Sequence, residues 1–155
     1  MSFNVEMILR LLLAAVLGAW IGAEREQSYR GAGLRTHALV ATAAALAIIV
    51  SAYGFTQVLA AGRVILDPSR VAAQVVTGIG FLGAGIIIFR KNAVRGLTTA
   101  ASIWAVAAVG LAAGSGLYII AVGATAILSF ILIGVKKIEK TFMHLCESQS
   151  ELLFF

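Results

Sequence analysis

The side chains with the most evident chemistry lie between residues 67 and 85, where an acid, a cation and an amide precede a glycine-rich segment. Such groups on one helix face could hold an ion or a small polar ligand. An equally weighted interpretation is structural: Asp67 caps its helix, Arg70 reaches the membrane interface and Gln74 bonds to another helix. The residues of the predicted ligand or ion face are Asp67, Arg70, Gln74, Gly78, Phe81 and Gly85.

The octet GIGFLGAG at residues 78–85 also contains the spacing G-x-G-x-x-G of a dinucleotide-binding loop. Such a loop follows a strand and precedes an acid by about 20 residues. Thr98 stands at that distance, and the sequence has no acid between Asp67 and Glu139. The octet is therefore predicted to be the middle of a helix rather than a phosphate site.

The acids Glu24, Glu26 and Asp67 are candidate magnesium ligands, since hard cations prefer oxygen. The predicted topology separates Asp67 from the two glutamates by about 30 Å of hydrocarbon, which excludes one shared site. Ion pairing is the favoured role of Glu24 and Glu26, and His37 is predicted to form a hydrogen bond at the interface. The predicted cytoplasmic ionic cluster is Glu24, Arg25, Glu26, Arg35 and Arg95, and its metal content is unknown.

No cofactor is certain, although Mg²⁺ is a candidate, and the chain is predicted not to be an enzyme. It has no H-E-x-x-H pattern, and the serine of "GSG" at residues 114–116 has no assigned base partner. A lone cysteine, Cys146, excludes an internal disulfide framework.

These residues must be positioned by membrane helices, because 61% of the 155 residues are hydrophobic and 12% are charged. The predicted fold class is all-α, a polytopic bundle with spans at 7–23, 38–55, 71–89, 97–113 and 116–135. Arg10 is expected to snorkel to the interface from the first span. The predicted domains are a transmembrane domain at 1–137 and a short tail at 138–155, where Ile138, Phe142 and Leu145 favour an amphipathic helix.

The charge distribution predicts the orientation of the bundle. Nine of the twelve cations follow the first, third or fifth span, and the other three are Arg10, Arg63 and Arg70. The positive-inside rule therefore places the N-terminus outside and the C-terminus in the cytoplasm. The net charge of +5 is explained by topology, so the predicted partners are the lipid bilayer, including anionic lipid, and not nucleic acid.

The third span has two further stripes at helical spacing. The stripe Val71, Val75, Ile79, Leu82, Ile86 and Phe89 is wholly apolar and is predicted to face lipid. Small residues on the third and fourth spans predict close helix contacts and a homo-oligomer formed through any small face left over. The predicted helix-packing residues are Ala73, Thr77, Gly80, Ala84, Thr98, Ala101 and Ala105.

Four ordered motifs give the sequence a family resemblance: GAERE, GLRTHALV, DPSRVAAQVVTGIGFLGAGII and VRGLTTAASIWAVAAVGLAAGSGLY. Together they resemble the MgtC/SapB family of bacterial inner-membrane proteins over about residues 8 to 120. The resemblance implies five membrane helices with an external N-terminus. The matching positions are Glu24, Arg25, Arg35, Thr36, Asp67, Arg70, Gln74, Gly78, Gly80, Gly83, Gly85, Gly96, Thr98 and Thr99.

The resemblance also implies links to growth in low magnesium and to survival of intracellular pathogens inside macrophages. Longer members continue into a soluble cytoplasmic domain that this chain lacks, so either the membrane part acts on its own or the sequence is a piece of a longer protein. The resemblance further implies regulation of other membrane proteins, the ATP synthase among them. The first hypothesis is a non-enzymatic modulator of other membrane proteins, acting through its small-residue faces, in low-magnesium or acid stress. The alternative is an oligomeric transporter, channel or sensor for a small cation, with Asp67 and Gln74 at its external mouth.

Overall fold

The computed structural model describes residues 2–26, 31–55, 67, 69–90 and 93–135, and its architecture is a bundle of helices. The helices are α1 (Phe3–Glu26), α2 (Leu34–Tyr53), α3 (Ser69–Ile86), α4 (Leu97–Gly114) and α5 (Tyr118–Phe130), and a π-helical turn (Ile131–Val135) follows. The first four are long and apolar enough to cross a membrane, and the fifth is shorter but also apolar. The predicted all-α fold is confirmed, whereas the orientation of its termini and the division into domain and tail remain predictions.

The helix α4 is the centre of the bundle, because it contacts each of the other four helices. The mutual contacts of α1, α2 and α4, called here the interior seam, are built from small residues that bring the helix backbones together. A Cβ atom added to Gly18 would lie 2.6 Å from the carbonyl oxygen of His37, and one added to Gly114 would lie 2.6 Å from that of Ala45. One added to Gly110 would collide with the backbone of Ala41. These glycines therefore permit the approach that buries the core.

A short hairpin connects α3 to α4. Strand β1 (Ile88–Arg90) pairs antiparallel with β2 (Ala93–Arg95), and Gly96 follows with a φ of 92°. Glycine adopts this left-handed conformation without a Cβ clash. The predicted end of the third span at residue 89 is wrong, since the helix ends at Ile86 where strand pairing begins. The predicted amphipathic tail helix lies outside the described residues.

Candidate functional site

The predicted ligand or ion face lies on the outer side of α3. Each of its six residues is exposed, and Phe81 is 82% exposed. The Oδ1 atom of Asp67 accepts hydrogen bonds from the Ser69 hydroxyl at 2.6 Å and from the Ser69 backbone N–H at 2.9 Å. These bonds, the hydroxyl first, hold the pKa of Asp67 below its ordinary value. Asp67 thus caps the start of α3, as predicted, and any ligand on this face would need a further enclosing surface.

The face by which α3 packs on α4 is the stripe that was predicted to contact lipid. Ile79 is 9% exposed and belongs to one apolar cluster with Ile103 and Ala107 of α4. A Cβ atom on Gly83 would lie 3.6 Å from the Cβ atom of Ala100. The lipid assignment is therefore wrong for Val75, Ile79 and Ile86, whereas Leu82 and Phe89 of the same stripe are exposed. Hydrophobicity did not distinguish the two surroundings because branched apolar side chains suit lipid and a neighbouring helix equally well.

The small residues predicted to make close contacts are mostly exposed within one chain. The α3 stripe, called here the small-residue face, is exposed at Ala73, Thr77, Gly80 and Ala84. On α4, Thr98 and Ala101 are exposed and Ala105 is partly buried. Within the described chain α4 instead buries the side that carries Thr99, Ser102, Val106 and Gly110. Close packing through the small-residue face therefore stays a prediction, and it concerns a second polypeptide.

The end of the bundle where α1 finishes contains a buried polar cluster, called here the Arg25 network. Arg25 is 4% exposed and donates from Nη2 to the Thr99 hydroxyl at 2.9 Å. The ring of His37 is 0% exposed and lies 2.9 Å from the carbonyl oxygen of Gly33 and 3.1 Å from Oγ of Ser102. Ser102 Oγ in turn donates to the Thr99 carbonyl at 2.8 Å. His37 thus bonds inside the bundle rather than at the interface, and the network ties α1, α2 and α4 together.

The other four members of the predicted ionic cluster do not belong to the Arg25 network. Glu26 accepts the backbone N–H of Leu34 at 3.1 Å, and Glu24 places a buried carboxylate oxygen without a hydrogen-bond partner among the described residues. Arg35 and Arg95 are exposed. Over the described ranges the one salt bridge joins Glu6 and Arg10, so Arg35 and Arg95 pair with neither glutamate there.

The opposite end of the bundle holds a second buried arginine, which the sequence did not identify as a site. Arg10 is 9% exposed, donates to the Tyr118 hydroxyl at 3.1 Å and to the Gly114 carbonyl at 3.0 Å, and bonds to Glu6. Its guanidinium carbon lies 6.0 Å from the ring centre of Tyr53 and 5.9 Å from that of Tyr118.

The prediction that Arg10 snorkels to the interface is wrong, because its donors are satisfied inside the bundle. Glu6, four residues earlier on the same helix, was the one local signal for this arrangement. Tyr118 is 108 residues away and could not have been paired with Arg10 from spacing alone.

An apolar groove opens between α2 and α3 at the end of the bundle that carries the hairpin. Its volume is about 540 Å³, within the range of roughly 300 to 1,000 Å³ common for small-molecule sites. Phe81 and Ala84 contribute to its rim. Its walls are formed by Thr36 and Val40 of α2, Leu82, Gly85 and Ile86 of α3, and Ile103 of α4.

Within the described ranges, no group of three histidine, cysteine, aspartate or glutamate residues lies close enough together to hold a metal ion. Glu24 and Glu26 lie at the end of α1, beside the start of α4. Asp67 instead precedes the start of α3, which is the end of that helix away from the hairpin. Magnesium binding by any one of these candidate acids therefore stays a prediction.

The apolar helices define a polytopic helical membrane protein. At each end of the bundle a buried arginine and its hydrogen-bond partners join these helices. The MgtC family model matches residues 11–141, and the chain belongs to the MgtC family. It is 56% identical over 115 residues to "Putative magnesium transporter YhiD" of Escherichia coli K12, covering 74% of this chain and 54% of that one.

A second relative, "Protein MgtC" of Salmonella typhimurium LT2, is 49% identical over 121 residues, which cover 78% of this chain and 48% of the relative. The chain thus spans about half the length of the curated relatives it matches. No solved structure matches it.

Proposed function

We propose that this protein is a non-enzymatic inner-membrane modulator, which binds transmembrane helices of other membrane proteins or of a second copy through the small-residue face of α3. The setting implied by the family is low magnesium, acid stress and virulence-related adaptation. The observation that carries the proposal is an exposed helix whose glycines have no role inside the chain. A Cβ atom at Gly80 on this face, or at Gly78 and Gly85 on the adjoining ligand or ion face, would meet nothing within 4 Å.

Three exposed glycines are unexpected in one helix, because helices favour other residues in their interior. A glycine in a helix interior is less favourable than alanine by about 1 kcal/mol, so three in one helix need a compensating contact. In membranes, small residues provide that compensation by letting a second helix backbone approach closely. Only Ile79 and Gly83 are buried among the described residues of α3, which leaves most of its surface available to such a helix.

The experiment replaces Gly80 with leucine and measures self-association and partner capture in membranes. We expect at least a tenfold loss of cross-linked or co-purified species, since the leucine side chain separates the helix backbones. The matched control is Gly123→Leu on α5, because a Cβ atom there also meets nothing within 4 Å. Equal association of both variants would contradict the proposal. In cells, Gly80→Leu should also abolish any growth benefit in low magnesium or at acid pH.

A second candidate function is passage of a small cation such as Mg²⁺, as the name of the Escherichia coli relative suggests for that protein. The exposed carboxylate of Asp67 and the amide of Gln74 favour it. Since this face points outward, a pathway would have to form between copies of the chain. Magnesium flux into liposomes that requires Asp67 would support it, whereas equal flux with Asp67→Asn would oppose it. Saturable binding without flux would indicate a sensor.

A further inference from the structure

We propose that the groove between α2 and α3 binds an anionic phospholipid, with an acyl chain in the groove and the headgroup phosphate held by Arg35 and Arg95. This inference does not depend on the proposed function. The occupant would come from the leaflet that the charge distribution predicts to be cytoplasmic.

The shape and chemistry of the groove fit an acyl chain. Its walls are apolar apart from Thr36, and it occupies the last two turns of α3 and the first two turns of α2. The groove therefore lies within the hydrocarbon but next to the headgroup region, which is where the first carbons of a lipid chain are found. Gly85 keeps the wall open, because a Cβ atom there would meet nothing within 4 Å and a longer side chain would occupy part of the groove.

Two exposed cations are sequence neighbours of residues at the end of the groove nearest the hairpin. Arg35 precedes Thr36, which forms part of the wall. Arg95 ends β2 and precedes Gly96, whose added Cβ atom would lie 3.1 Å from the carbonyl carbon of Ile86, another wall residue. Both arginines are exposed and neither forms a salt bridge to an acid in the described ranges. Arginine binds phosphate through paired N–H donors, so both are available for a headgroup.

The hairpin adds an apolar surface beside these cations. Phe89 pairs with Val94 across the two strands, and their exposures are 72% and 49%. Since paired residues share a face of a two-stranded sheet, these side chains form one apolar side. Arg95 lies on the opposite side, because adjacent residues of a strand alternate between its faces. An element with an apolar side and a cationic side is characteristic of the interface of an anionic membrane. This complementarity favours a lipid over a helix of another protein as the occupant.

The test measures lipid retention by native mass spectrometry on the full chain, purified in detergent and mixed with equal amounts of phosphatidylglycerol and phosphatidylcholine. We expect about one phosphatidylglycerol to be retained in at least tenfold preference to phosphatidylcholine. Gly85→Leu should abolish retention by filling the groove. Arg35→Gln and Arg95→Gln should each lower phosphatidylglycerol retention about fivefold, the contribution of one cation at an anionic surface.

Matched controls come from the outer side of α3. Gly78→Leu adds the same side chain at an exposed glycine with equally open space but away from the groove, and Arg70→Gln removes an exposed cation at the far end of the helix. Both should retain lipid as the wild type does. Helicity measured by circular dichroism checks that Gly85→Leu folds, and if it does not, the two arginine variants decide the matter alone.

Several results would overturn the proposal. Equal retention of the two lipids would show that no headgroup is recognised, and undiminished retention in Gly85→Leu would place the lipid elsewhere. Competition by millimolar inorganic phosphate would indicate a site for free phosphate rather than lipid. A change of oligomeric state in Gly85→Leu with unchanged lipid retention would make the groove an interface between copies.

Discussion

The glycines of the interior seam and those on the outer side of α3 serve opposite purposes, although the sequence presents them alike. At Gly18, Gly110 and Gly114 a methyl group would strike a neighbouring helix, so each allows one close contact within the chain. At Gly78 and Gly80 the same methyl group would meet empty space. The difference teaches that α1, α2 and α4 form the closely packed interior of the bundle, while the outer side of α3 makes no such contact within the described chain.

The most direct test of this difference is to add one methyl group to a glycine in each region. Gly110→Ala should destabilise the folded chain by about 3 kcal/mol, because the new Cβ atom overlaps the backbone of Ala41 and the helices must separate. Gly80→Ala should instead stabilise a monomeric chain by up to about 1 kcal/mol through its helix propensity. Unfolding monitored by circular dichroism in detergent compares them. Similar losses in both variants would show that the outer glycines also have a role within the chain.

A second contrast separates buried from exposed arginines. Arg10→Gln should cost about 2 kcal/mol, since the carbonyl of Gly114 and the hydroxyl of Tyr118 lose a donor inside the bundle. Arg70→Gln, on the exposed start of α3, should change the free energy of unfolding by less than about 0.5 kcal/mol. The measurement is again the unfolding midpoint in detergent. An Arg10 variant as stable as the Arg70 variant would mean that the Arg10 contacts contribute little.

The sequence predicted the number and type of helices well, because length and hydropathy are local properties. It also predicted the cap at Asp67, whose partner Ser69 is two residues away. It was wrong about which side of α3 is buried, because Ile79 would suit lipid as well as a helix neighbour. It missed the partners of Arg10 and Arg25, since Tyr118 and Thr99 are separated from them by 108 and 74 residues. Such pairings are set by the tertiary arrangement and leave no spacing signal.

The adjacent residues Thr98 and Thr99 at the start of α4 allow the buried and exposed surroundings to be compared through the loss of one hydroxyl group. Thr99→Val should destabilise the fold by about 1 kcal/mol, because the buried guanidinium of Arg25 loses one of its hydrogen-bond acceptors. Thr98→Val replaces a threonine that is exposed and should be nearly neutral. Thermal unfolding of the two variants in the same detergent tests the difference. A neutral Thr99 variant would show that another partner of Arg25 compensates for the lost hydroxyl.

The smallest effect is expected at Asp67, where the capping bonds are fully exposed. Its pKa is lowered in the folded chain, first by the Ser69 hydroxyl and then by the Ser69 backbone N–H. A group whose folded pKa is depressed stabilises the fold above its unfolded pKa, near 4, and loses that contribution as the pH falls through the folded value. The melting temperature of the wild type should therefore fall slightly below pH 4, and this fall should be smaller in Asp67→Asn. At neutral pH the two proteins should melt at almost the same temperature, because asparagine also caps helices. A large loss of stability at neutral pH would instead indicate that the carboxylate has a charged partner, such as a bound cation, beyond its own helix turn.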